Sequence, residues 1–78
     1  MKPKEPHLII TFYTTAEAMA MEQLCQSRGI PGKLISAPRS LSADCGIAWS
    51  APLSAREQLE QAIQQAQLEI DGIHELPA

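Results

Sequence analysis

The chain has 78 residues, six Lys or Arg against nine Asp or Glu, and a net charge of -3. That length allows one domain with a modest core and argues against a deep substrate cavity enclosed by its own walls. With no basic stripe, nucleic-acid binding has no electrostatic support. The longest apolar runs, such as Leu8-Ile9-Ile10, are far too short for a membrane span, and the charged start has no apolar stretch behind it that would make a signal peptide. No membrane association and a cytoplasmic location are therefore expected.

Residues 1–6 are rich in proline and charge and read as a frayed lead-in to a domain over 7–78. His7 to Tyr13 reads as a strand, β-branched and aromatic on both faces and hence central in its sheet. Thr14-Thr15-Ala16-Glu17 is a Thr-x-x-Glu capping box, so a helix starts there. Ala18, Met21, Leu24 and Cys25 fall on one face of it, and Met19 and Met21 read as packing residues. Arg28 suits the negative end of the helix and Gly29 ends it. Gly32 to Ala37 reads as a second strand stopped by Pro38, Arg39 to Asp44 as a polar loop, and Gly46 to Ser50 as a third strand. In that strand Ile47 and Trp49 lie on one face and Ala48 on the other. Ser54-Ala55-Arg56-Glu57 is a second capping box, followed by a stripe of Leu59, Ala62, Ile63 and Ala66 with glutamines on the solvent side. Gly72 to Leu76 reads as the last strand. His7 and His74 read as surface groups flanking strands.

The order strand, helix, strand, strand, helix, strand predicts an α+β fold. It is a ferredoxin-like β-α-β-β-α-β sandwich, with a four-stranded antiparallel sheet in the order four, one, three, two and both helices on one face. A right-handed crossover makes the first two strands parallel. The loop before the third strand then returns beside the start of the first helix, which brings Cys45 near Tyr13, Thr14 and Thr15. The other sheet face is left open, with Ile9 and Tyr13, or else Leu8 and Phe12, pointing into it. An apolar open face suggests homodimerisation or partner docking.

Chemistry concentrates on Cys45. The thiolate is the reactive form of cysteine, and helix N–H groups or a cation lower its pKa. The start of the first helix and Arg39 supply both, Gly46 leaves room beside the sulfur, and Asp44 acts in the opposite sense. A depressed pKa at Cys45 is the expectation. Spacing alone favours Cys45 as a small residue packed at a strand start and Arg39 as a solvated loop charge. Cys25, beside Leu24 and Met21, reads as structural. Two cysteines do not make a disulfide framework, and His7 and His74 lack ligand spacing to them, so neither a metal nor a cofactor is expected.

Pro38-Arg39, Leu41-Ser42 and Cys45-Gly46 together resemble the signature of the putative selenium/sulfur carrier protein-like domain, a small bacterial family. Phe12, Thr14, Ala18 and Glu22 resemble its strand-to-helix segment, Gly29-Ile30 the turn that follows, and Gly72-Ile73 its closing strand. The resemblance runs from Leu8 to Leu76. It implies a sulfur or selenium carrier that takes its cargo on Cys45 from a protein donor and passes it to a protein acceptor. Arg39 would hold the thiolate or an anionic substrate, and Gly46, Thr14, Thr15 and Ser42 complete the candidate site. Such a protein is a carrier recharged by partners more than a turnover enzyme. The competing reading is a non-catalytic ferredoxin-like module in which the loop recognises a small anion or a protein and Cys45 only packs.

Overall fold

A computed structural model describes residues 6–38, 41 and 46–77. In chain order the elements are β1 (Pro6–Thr11), α1 (Thr15–Arg28), β2 (Lys33–Ser36), β3 (Ile47–Pro52), a single 3-10 turn (Leu53–Ala55), α2 (Arg56–Ala66) and β4 (Gly72–Pro77). The strands form one antiparallel sheet in the order β2-β3-β1-β4. This is the α+β, ferredoxin-like arrangement expected from the order of elements.

Strand β1 is hydrogen-bonded on both sides. Ile10 stands opposite Trp49 of β3 and Ile73 of β4. Side chains alternate across a strand, so Leu8, Ile10 and Phe12 point to one face, where they are completely buried together with Met21, Cys25 and Leu59 from the helices. Burial of each large apolar side chain of this kind is worth about 1.5–3 kcal/mol. Helices α1 and α2 therefore lie over the Leu8 face. The opposite face carries Ile9 and Thr11, but Ile9 is only 4% exposed; Tyr13, beyond the end of the strand, is 50% exposed. Met19 is 54% exposed and does not pack, because it sits on the outer side of α1 while Met21, two residues on, points inward.

Helix α1 starts as its capping box dictates. The N-cap Thr14 is extended, its hydroxyl accepts from the Glu17 N–H, and the Glu17 carboxylate accepts from the Thr14 N–H. It ends with Gly29 in the left-handed region at φ 69° and with Ile30 N–H bonded back to the Cys25 carbonyl at 2.9 Å, a Schellman closure with Ile30 buried as its apolar contact.

The second capping box does not form. Ser54 lies inside the 3-10 turn, closed by Arg56 N–H to the Leu53 carbonyl; the N-cap of α2 is Ala55, with no side-chain cap. Pro52 leads directly into this tighter turn, which takes up the first free N–H that the serine would have capped. Strand β1 also stops at Thr11, two residues short of the expected Tyr13, because the Tyr13 N–H turns to the Glu17 carboxylate at 3.1 Å.

Between α1 and β2 the backbone passes close over the core. Gly32 has φ +144°, and a Cβ there would lie 2.5 Å from Nε1 and 2.6 Å from Cε2 of Trp49. The indole is 2% exposed and its N–H is buried with no hydrogen-bond partner among the described residues. Two independent constraints, the backbone angle and the ring beneath it, thus require glycine. Gly32→Ala is expected to destabilise the domain by at least about 1–3 kcal/mol, the range for backbone strain or overpacking acting singly. A urea midpoint equal to that of the parent chain would refute the close approach.

Candidate functional site

The register fixes which chain segments meet at one edge of the sheet. Thr11, the last residue of β1, pairs with Ala48 of β3 and with Gly72 of β4; Ala48 also pairs with Ile35 of β2. The end of β1, the start of α1, the end of β2 and the starts of β3 and β4 therefore share that edge. The connection from β2 to β3 closes there through Ala37 N–H to the Gly46 carbonyl at 2.9 Å, and Leu41 N–H turns back to the Pro38 carbonyl at 3.0 Å. Gly46 is exposed, sits at φ 73°, and among the described residues has no heavy atom within 4 Å of where a Cβ would stand. Its left-handed backbone favours glycine.

Of the expected site residues, Thr14, Thr15 and Gly46 are described, and the register puts them at the same end of the sheet. Cys45, Arg39 and Ser42 lie outside the described residues, as does Asp44.

The helix start is only partly free to receive an anion. Glu17 Oε1 accepts from both Tyr13 N–H (3.1 Å) and Thr14 N–H (3.0 Å), and the Thr14 hydroxyl is committed to the Glu17 N–H. The N–H groups of Thr15 and Ala16, which helix geometry leaves without a carbonyl partner, remain. The Glu17 charge also weakens the attraction of this helix end for a second anion. Thr14→Ala is expected to cost about 1 kcal/mol, the usual worth of an N-cap hydroxyl; an unchanged denaturation midpoint would show that the cap contributes nothing.

A polar cluster that sequence reasoning missed borders the same edge. Thr11 is completely buried, and its hydroxyl faces Asp71 Oδ2 (3.3 Å), the Gly72 carbonyl (3.4 Å) and His74 Nε2 (3.5 Å), while Asp71 N–H donates to the Thr11 carbonyl at 2.7 Å. These bonds tie the α2–β4 turn to the end of β1. No pattern in the sequence points to it, since sixty or more positions separate the partners. His74 is half-buried inside β4, not a free surface group.

Cys25 is a structural thiol, as expected. It is fully buried, its Sγ lies 3.5 Å from Met21 Sδ, it forms no disulfide, and desolvation pushes its pKa from 9.0 up to about 11. Among the described residues no three His, Cys, Asp or Glu group together to hold a metal ion, and no helix is long and apolar enough to cross a membrane.

A family model described as putative Se/S carrier protein-like matches residues 7–75, spanning all four strands and both helices. The chain belongs to this family. No curated protein and no solved structure matches it. Within this family member, Cys25 is closed to chemistry at neutral pH. In native protein at pH 8 it is expected to resist iodoacetamide and to react only after denaturation, as read by peptide mass mapping; rapid native labelling would contradict its burial. Its folded pKa is raised, so the stability linked to it is fully present below about 9 and is lost as pH rises through about 11.

Proposed function

We propose that this domain carries sulfur or selenium on Cys45. Membership of the carrier-like family over 7–75 carries the reading. Two features of the chain support it. Gly46, which follows Cys45 in the sequence, is exposed, with a left-handed backbone and no described residue within 4 Å of where a Cβ would stand. The other cysteine, Cys25, is buried and held protonated, which leaves it unsuited as a resolving thiol for dithiol chemistry.

The transfer balances without net oxidation. The Cys45 thiolate attacks the outer sulfur of a donor persulfide; the new S–S bond forms as the donor's S–S bond breaks, and the donor leaves as its thiolate. An acceptor nucleophile then attacks the terminal sulfur, and the Cys45 thiolate departs. Selenium follows the same path with a selenium–sulfur bond. Donor and acceptor are proteins, and the domain is recharged between them in the cytoplasm. In this reading Arg39 pairs with the anionic form, with help from the N–H groups of Thr15 and Ala16 at the helix start, and Ser42, Thr14 and Gly46 complete the candidate site. Asp44 and Glu17 oppose this charge, so their removal is expected to make Cys45 more nucleophilic.

The test is mass spectrometry of the domain after incubation with a cysteine desulfurase and cysteine, or with the same class of enzyme and selenocysteine, which presents the selenium already bound to a donor thiol. A gain of about 32 Da for sulfur or 80 Da for selenium at Cys45, discharged by a thiol, is expected. The Cys45→Ser variant should take up nothing while folding normally. A wild-type domain that stays unloaded, or a variant that loads equally, overturns the carrier reading.

A further inference from the structure

Helices α1 and α2 leave a groove of about 320 Å³, lined by Arg28, Ile30, Gln58, Gln61 and Gln65. That volume lies at the lower end of the range for small-ligand pockets. The lining is one guanidinium and three carboxamides beside one buried aliphatic residue, with no carboxylate among them. Arg28 Nη1 donates to Gln65 Oε1 at 2.7 Å. This bond holds the guanidinium at the Gln65 end and leaves its other N–H groups for a partner. Arg28 has no carboxylate at ion-pair distance among the described residues; the ion pairs there belong to Arg56, with Glu60 and Glu75.

The glutamines are spaced three and four residues apart, so they form a row on one face of α2. From Gln58 to Gln65 the row is about 10.5 Å long at 1.5 Å per residue. Three residues of extended chain, at about 3.3 Å each, span the same distance. A carboxamide both donates and accepts, which is what the N–H and C=O groups of a peptide require. A planar guanidinium accepts a carboxylate through two parallel hydrogen bonds.

We infer that this groove binds the C-terminal carboxylate and last residues of a polypeptide. The carboxylate lies at Arg28 beside Gln65, and the preceding amides run along Gln61 toward Gln58. This assignment is independent of the chemistry at Cys45. It gives the domain a docking point for a protein partner on the helical layer.

Titration of the ¹⁵N-labelled domain with acetyl-Ala-Ala-Ala tests it, with the C-terminal amide of the same peptide and acetate as controls. The free acid is expected to shift the side-chain signals of Arg28, Gln61 and Gln65. The peptide amide should bind at least about tenfold more weakly, the loss expected when a charge-assisted pair is removed. Acetate alone should cause little change. Arg28→Gln should abolish binding and Gln61→Ala should weaken it, with the remaining spectrum preserved, since both residues are exposed. Equal binding of acid and amide, equal response to acetate, or full binding by Arg28→Gln overturns the inference. A peptide that shifts none of these signals overturns it as well.

Discussion

Strand β1 is hydrogen-bonded along both edges and buried on the face that carries Leu8, Ile10 and Phe12. Everything else is placed by reference to it. A strand bonded on both sides admits no slip of register without turning its apolar side chains to water. Its register with β3 sets where the β2–β3 connection returns, and its register with β4 sets where Asp71 and His74 meet Thr11. Its last residue also decides where α1 can begin, because the chain must leave the sheet before Glu17 can reach back to Tyr13 and Thr14.

The edge that results is electrostatically mixed. A helix start offers N–H groups, yet this helix brings its own carboxylate to two of the donors ahead of it. The same Glu17 that makes the start of α1 stable thus competes with any anion approaching it. Under the proposed carrier reading such a balance is favourable: a thiolate stabilised too strongly is a poor nucleophile, while an unassisted thiol is largely protonated at neutral pH. Cys25 takes no part in this, since burial in the core withdraws it from chemistry.

The helical layer is put together differently. Its inner side is apolar and closes over β1, whereas the seam of α1 and α2 near Arg28 is polar and open. Arg56 adds a further tie from α2 to β4 through Glu75, exposed and therefore screened by water.

The alternation of Leu8, Ile10 and Phe12, the Thr14 capping box, the Gly29 stop and the inward faces of Trp49 and Cys25 were all legible in the sequence, because each depends on neighbours within a few residues or on a simple period. The order of the strands followed from the order of elements and the handedness of the crossover. The carrier-like signature around Cys45 was legible too, as a local motif. Other features belong to the tertiary structure alone. Ser54 fails to cap α2 because Pro52 leads into a tighter turn, a competition between two local geometries that the Ser-x-x-Glu pattern does not record. Gly32 is required by an indole seventeen positions away, Thr11 by partners sixty positions on, and Arg28 meets Gln65 only because two helices cross. Local sequence determines what a segment does with its own backbone; which distant groups then fill the space beside it is decided by how the segments pack.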